Sequence, residues 1–337
     1  MKKGLLALFT ICVAFLFSLG NVKADTSIAG DFEPSFVKAV TEKYSITEAE
    51  FTREWASKVT ELDISNSQVG GIDKGGINPH VLAGYFPNLK VLNLSGNKLG
   101  GIPNLPAGLT SLDLSNNNIT GLPALPSTLT YLDLSDNELA GLPDLPANLE
   151  DLYLDNNNLA GLPALPASLD TLSLSGNDLA GLPALPGSLT YLDLSNNKLP
   201  GLPPLPATLL YLDLADNELP DLLPLPADLL VLDLSNNKLT KLPVLPGNLY
   251  ALNIKGNKIT EVLASKLPAS LEVFESDVEV TNDIKTTDDT KKDDVVTTTQ
   301  KAEKNPNTSD NVGLYFVLAL AGLGVIGLTT KSLIRHH

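Results

Sequence analysis

The sequence predicts an α/β solenoid: a horseshoe with a parallel β-sheet on its concave side, an extended convex side and a helical cap at its N-terminal end. Three observations predict it. From Leu92 to Asn257 one twenty-residue pattern is written nine times without a slip, as Leu112-Asp113-Leu114-Ser115-Asn116-Asn117 and Leu132-Asp133-Leu134-Ser135-Asp136-Asn137 illustrate. Within each unit leucine alternates with polar residues, the period of a strand with one buried face. One asparagine recurs in every unit, giving the column Asn97, Asn117, Asn137, Asn157, Asn177, Asn197, Asn217, Asn237 and Asn257. A single unit cannot bury its own leucines, so stability must come from stacking neighbours.

Each part of the unit has a physical reading. Stacked in parallel, Leu112, Leu132 and Leu152 form one buried column and Leu114, Leu134 and Leu154 the next. The asparagine turns the chain, and its amide is expected to bond backbone groups in the turn that no strand ladder reaches. The return path reads Leu122-Pro123-Ala124-Leu125-Pro126, then Leu142-Pro143-Asp144-Leu145-Pro146. Two prolines per unit remove donors and favour polyproline geometry over helix. Gly101, Gly121, Gly141, Gly161, Gly181 and Gly201 precede this path, and are expected at a backbone position too tight for a side chain.

The unit Leu-Pro-x-Leu-Pro-x-x-Leu-x-x-Leu-x-Leu-x-x-Asn-x-Leu resembles the short bacterial leucine-rich-repeat class, over about residues 92 to 257. That class occurs in surface proteins and in secreted effectors of Gram-negative pathogens. In its overall plan the chain is similar to internalins, although their repeats differ in length and in convex composition. The resemblance implies fold; it does not imply a ligand.

A solenoid needs caps over its terminal faces. The array is expected to span 59–276, with a helical cap over 25–58. Phe36, Val37, Val40 and Tyr44 have helical spacing over Pro34 to Tyr44, and Thr47-Glu48-Ala49-Glu50 reads as a capping box opening a second helix that carries Phe51 and Trp55. Trp55 is read as cap core. A first strand at Glu61-Leu62-Asp63-Ile64 has Ser67 where later units have Asn, and the next turn is ten residues longer, with room for a short helix between Asn78 and Asn88. His80 in that turn is read as surface or cap structure. Leu267 to Phe274 reads as a degenerate last repeat and C-terminal cap.

Both ends carry address labels. Met1-Lys2-Lys3, an apolar run to Leu19 and Val22-Lys23-Ala24 predict a signal peptide over 1–24, cleaved between Ala24 and Asp25. The sole cysteine, Cys12, lies inside it, so the mature chain is expected to have no disulfide and no thiol nucleophile. Residues 277–304 are rich in Thr, Asp and Lys and predict a tether that spans on the order of 100 Å. Asn305-Pro306-Asn307-Thr308-Ser309-Asp310, an apolar run over 312–330 and a basic tail over 331–337 follow. This ending resembles a Gram-positive cell-wall sorting signal of the Asn-Pro-x-Thr type read by class B-type sortases. The resemblance implies sortase as a partner, cleavage between Thr308 and Ser309, and a covalent link from Thr308 to peptidoglycan. A simple stop-transfer helix is the alternative.

The formal charge is −16, and removing Lys2, Lys3, Lys23, Lys331, Arg335 and Asp310 with the two ends leaves about −20. Nucleic acid and anionic membrane are poor partners for such a surface and no nucleic acid is expected, whereas a basic protein would be attracted. On the concave face the alternate side chains bring Tyr131, Tyr153, Tyr191 and Tyr211 beside Asp133, Asp151, Asp193 and Asp213. Tyrosines among carboxylates suit a basic protein surface; as stock vocabulary of the repeat, each Asp alone is more simply a soluble strand residue. No D-x-D-x-D-G loop, phosphate loop or nucleophile motif occurs, so no metal, cofactor or catalysis is expected. Some effectors with this repeat carry a ubiquitin-ligase domain with a catalytic cysteine after the array; only a tether follows here. The expected function is binding of a protein ligand by a wall-anchored adhesin, with a coat component that binds the bacterium's own wall polymer or neighbouring surface proteins as the alternative.

Overall fold

The computed structural model describes residues 26–72 and 81–282. Helices α1 (Pro34–Tyr44) and α2 (Arg53–Lys58) lead into β1 (Glu61–Asp63), and α3 (Val81–Tyr85) leads into β2 (Val91–Asn93). Then one short strand per repeat follows: β3 (Ser111–Asp113), β4 (Tyr131–Asp133), β5 (Asp151–Tyr153), β6 (Thr171–Ser173), β7 (Tyr191–Asp193), β8 (Tyr211–Asp213), β9 (Val231–Asp233) and β10 (Ala251–Asn253). The chain closes with β11 (Val262–Leu263), β12 (Val273–Glu275) and β13 (Val280–Thr281). Strands β1 to β10 and then β12 form one eleven-stranded parallel sheet in sequence order.

Leucine meets leucine across the array, as in Leu112↔Leu132, Leu152↔Leu172 and Leu192↔Leu212, and these side chains are fully buried. At about 2 kcal/mol per buried leucine, the strand, turn and return columns supply the driving force that no single repeat has. The asparagine column makes the bonds that prevent this burial from stranding backbone polar groups. Asn157 donates from Nδ2 to Leu154 O (3.1 Å) and to Leu134 O one repeat earlier (3.0 Å), while its Oδ1 accepts from Leu139 N (3.0 Å). Asn97 does the same toward the cap, donating to Ile64 O and accepting from Ser67 N and Val69 N.

The return path carries no helix. Leu129 N bonds Pro126 O at 3.1 Å, closing one tight turn per repeat. Hydroxyls then tie successive turns together, as Ser168 Oγ does to Leu149 O at 2.6 Å. The glycines before the return are not where the backbone is tight. A Cβ at Gly101, Gly121, Gly141, Gly161, Gly181 or Gly201 would meet nothing within 4 Å. The demanding position is one residue before the column asparagine, where Asn116, Asp136, Asn156, Asn196, Asp216 and Asn236 adopt φ of +53° to +56° and Gly96, Gly176 and Gly256 adopt +64° to +68°. Asn, Asp and Gly are the residues that accept this left-handed turn.

At the N-terminal end Glu33 caps α1 through Ser35 N, and α1 turns Phe36, Val37, Ala39 and Val40 into the core. Phe32, Phe36, Phe51, Phe86 and Trp55 form a continuous ring cluster over the first repeat. The capping box at Thr47 and Glu50 forms, with Glu50 Oε2 accepting from Thr47 N at 2.8 Å, but it closes a lone turn. The second helix starts six residues later at Arg53, capped by Thr52. The helix expected from Thr47 is stopped because the Phe51 carbonyl accepts from Ile28 N at 2.9 Å and Thr52, in extended conformation, bridges Ser27.

The C-terminal end runs further than expected. Strand β12 joins the sheet with Leu252↔Phe274, and β13 pairs in parallel with β11. Asp277 accepts from Gly256 N at 2.6 Å, and Val278 packs on the core. Residues 277–281, assigned to the tether on composition, are thus bound to the solenoid. The signal peptide with Ala24 and Asp25, His80, the later tether, the Asn305–Ser309 motif and the apolar run over 312–330 lie outside the described residues. Among the described residues no helix is long and apolar enough to cross a membrane.

Candidate functional site

Each strand presents two side chains on the outer face of the sheet, one on either side of its buried leucine. Register therefore fixes two columns. The first runs Ser111, Tyr131, Asp151, Thr171, Tyr191, Tyr211, Val231, Ala251; the second runs Asp113, Asp133, Tyr153, Ser173, Asp193, Asp213, Asp233, Asn253.

The four tyrosines do not form one cluster. Tyr131 and Tyr153 meet at 5.8 Å, tilted by 47°, across β4 and β5. Tyr191 and Tyr211 stack at 4.4 Å, within 7° of parallel, across β7 and β8. Thr171 and Ser173 on β6 separate the pairs with small side chains. Nor is the whole set exposed: Asp133, Tyr211 and Asp213 are buried, at 3%, 3% and 8%, while Tyr131, Asp151, Tyr153, Tyr191 and Asp193 are half-buried. Curvature and the width of the tyrosine rings wall each side chain with its neighbours.

Beyond Tyr211 the first column turns apolar. Tyr211, Val231 and Ala251 form a buried cluster with Tyr191, Leu230 and Tyr250 packed against it. Beside this strip the second column is acidic, with Asp193, Asp213 and Asp233 directly across from one another. Most of these aspartates hold the turn that follows them. Asp193 Oδ1 accepts from Ser195 N at 2.9 Å and from its hydroxyl at 2.7 Å, and Asp233 treats Ser235 likewise. The repeat of β8 has Ala215 instead of serine, so Asp213 keeps only the backbone bond, at 2.9 Å, and a long contact from the Tyr211 hydroxyl at 3.4 Å.

Asp155 belongs to this site. It occupies the place where neighbouring repeats have Ser115, Ser135, Ser175 and Ser195. Its carboxylate reaches forward into the next repeat, accepting from Ser173 Oγ at 2.6 Å and Ser175 N at 2.8 Å. It thereby replaces the aspartate that Ser173 displaces from the second column. The exchange of Tyr153 and Asp155 against the repeat pattern was the sequence signal for it. Asp233, Val231, Ala251 and Tyr250 belong to the same face and were not singled out because each looks ordinary within its own repeat.

The electrostatics follow from this crowding. Burial first, then Asp193 and Asp133, push the Asp155 carboxyl up to about 7. Burial and the charges of Asp193 and Asp233 raise Asp213 well above the carboxylate range. Burial raises Asp193 and Asp233 against the pull of Ser195 and Ser235. Asp151 rises by burial while the Thr171 hydroxyl beside it pulls the other way. The hydroxyls of Tyr191 and Tyr211 rise strongly, chiefly by burial. The face can therefore offer the partly exposed rings of Tyr131, Tyr153 and Tyr191 beside carboxyls whose proton affinity is raised. Among the described residues no three His, Cys, Asp or Glu side chains are arranged to hold a metal ion.

A second concavity lies on the cap, a shallow open depression of about 390 Å³ lined by Arg53, Glu54, Ser57, Gly84, Tyr85 and Pro87. The Arg53 guanidinium lies over the Tyr85 ring at 4.4 Å. These side chains are engaged with one another.

The family model described as two copies of leucine-rich repeats matches residues 108–147, and the single leucine-rich-repeat model matches 88–109, 188–207 and 228–249. No curated protein matches the chain. Among solved structures, an internalin, InlF, from Listeria monocytogenes has a TM-score of 0.61 and 21% identity, over 78% of this chain and 81% of that one. The functional domain of InlJ, also from Listeria monocytogenes, has a TM-score of 0.57 and 22% identity, over 75% and 62%. YopM from Yersinia enterocolitica is 32% identical with a TM-score of 0.41, and the chain spans 56% of its length. The likeness to the two internalins is one of fold: this chain is a leucine-rich-repeat solenoid.

Proposed function

We propose that this protein is a secreted surface protein, joined by a sortase to Gram-positive peptidoglycan through Thr308, that captures a protein ligand on the outer face of its repeat sheet. The observation that carries the binding reading is the set of partly exposed tyrosines (Tyr131, Tyr153, Tyr191) beside partly exposed carboxyls (Asp151, Asp193) on that face. Aromatic anchors within a polar surround are the usual source of interface energy, and the net negative charge of the chain favours a basic partner. The wall reading rests on the sequence from Asn305 to Ser309, followed by an apolar run and a basic tail. A stacked-repeat solenoid suits a scaffold for interaction, and binding is the role proposed for it.

The test is capture by the immobilised protein from separate pools of epithelial surface proteins, matrix proteins, mucins and purified wall glycan. Variants Tyr131→Ser with Tyr153→Ser, and Tyr191→Ser, run beside the parent, with folding checked by circular dichroism. Capture of one host protein by the parent, lost in a folded variant, supports the reading. Capture of wall glycan alone, or equal capture by every variant, overturns it in favour of a coat component.

A further inference from the structure

Asp193, Asp213 and Asp233 stand directly across from one another on β7, β8 and β9. Residues so paired lie about 5 Å apart, and like charges there repel. Among the described residues, no ion pair reaches any of the three or Asp155; the pairs present are Lys38–Glu42, Lys43–Asp63, Lys58–Glu54, Lys198–Asp178, Lys238–Glu218 and Lys255–Glu275. The groups that face the row are Asp133 from β4, Ser173 from β6, Tyr191 and Tyr211 from β7 and β8, Asn253 from β10 and Glu275 from β12. The donors that reach the row are neutral: the hydroxyls of Ser173, Ser195, Ser235 and Tyr211, the Asn253 amide and backbone N–H groups. Lys255, two residues beyond Asn253, is held by Glu275 at 2.6 Å.

We propose that the row Asp155–Asp193–Asp213–Asp233 is a proton-operated lock on the C-terminal half of the sheet: protons shared within the row hold β6 to β10 together at mildly acidic pH, and their loss above neutral pH sets like charges against one another across adjacent strands. Asp213 is the centre of the lock. It has a carboxylate on either side, and Ala215 withholds the hydroxyl that Ser195 and Ser235 give its neighbours.

The direction of the effect is fixed by linkage. These carboxyls bind protons more tightly in the folded chain than in the unfolded one, where they titrate near 3.8. Folded protein therefore carries more protons between that value and about 7, the value for Asp155. Stability from the row rises as pH falls through this window and is lost as pH rises through it. Ordinary acid denaturation has the opposite slope.

The experiment is thermal unfolding of the full chain at pH 8.0 and pH 5.5, with Asp213→Asn and, as a control on the exposed return path, Asp144→Asn. The parent and Asp144→Asn are expected to melt about 5 °C higher at pH 5.5 than at pH 8.0. Asp213→Asn keeps the acceptor for Ala215 N, and is expected to melt higher than the parent at pH 8.0 with most of the pH slope gone. Carbon-13 titration of the aspartate carboxyls in the parent chain, which needs no variant to fold, is expected to show at least one midpoint above pH 6. A parent that melts lower at pH 5.5, an Asp213→Asn variant with the full slope, or aspartate midpoints all near 4 would each overturn the proposal.

Discussion

Tyr191 and Tyr211 stack face to face at 4.4 Å on neighbouring strands, in a sheet whose register sets them directly opposite. Tyr211 is buried by this contact on one side and by Val231 on the other, so it supports the face, while Tyr191 keeps an accessible edge. The two pairs of tyrosines therefore have different weights. Replacing Tyr191 by Ser removes an aromatic pair worth about 0.5–1.5 kcal/mol beyond area and uncovers Tyr211. A total loss of about 2 kcal/mol is expected in urea unfolding, against about 1 kcal/mol for Tyr131→Ser, whose partner Tyr153 meets it at a tilt. Equal losses would mean that stacking contributes nothing here.

The asparagine column gives a sharper expectation. Asn157→Ala leaves Leu139 N without its acceptor, while Leu134 O and Leu154 O each keep one amide donor, from Asn137 and Asn177. At about 1–3 kcal/mol for a buried group left unsatisfied, the loss should be about 2 kcal/mol, with faster hydrogen exchange at the Leu139 amide. Asn118→Ala, one residue past the column and exposed, should stay within about 0.5 kcal/mol.

Glycines in the repeat divide into two kinds. Gly176 adopts φ +68°, and a Cβ there would lie 2.4 Å from Asn156 Oδ1. Gly176→Ala should cost about 1–2 kcal/mol for the left-handed conformation; Gly176→Asn should cost less, since Asn116, Asn196 and Asn236 occupy the equivalent turn. Gly181→Ala, with open space around it, should be neutral or stabilising by up to about 1 kcal/mol. Urea midpoints of the three variants check the order, and a Gly181→Ala loss larger than that of Gly176→Ala would refute it.

Truncation tests the C-terminal cap. A chain ending at residue 276 lacks Val278, which packs on the core, and β13, the partner of β11 that covers the fully buried Val262. Relative to a chain ending at 282 it should lose on the order of 2 kcal/mol, with hydrogen exchange rising first at Val262 and Leu263. Identical melting of the two chains would return residues 277–281 to the tether.

What the sequence by itself determined is everything that repeats. Twenty-residue spacing, leucine alternation and one asparagine per unit specify strand, buried columns, turn and order of stacking, because each is satisfied by the same contacts in every unit. The helix at Pro34–Tyr44 was legible too, since its apolar spacing and its start at Pro34 are local. What only the tertiary structure decided is whatever depends on residues about twenty positions away. The capping box at Thr47 was read as the start of the second helix, yet it closes a lone turn, and pairing between Ile28 and Phe51 moved the helix start to Arg53, leaving Phe51 outside it. Composition assigned Val280–Thr281 to a tether, and a strand eighteen residues earlier claimed them. Four tyrosines spaced along the chain became two pairs, because β6 places Thr171 and Ser173 between them. Asp155 shows the reason most directly. Its charge state is set by burial and by Asp133 and Asp193 on other repeats, and solvation and Coulomb energy depend on distance in space, which the order of residues in one repeat does not contain.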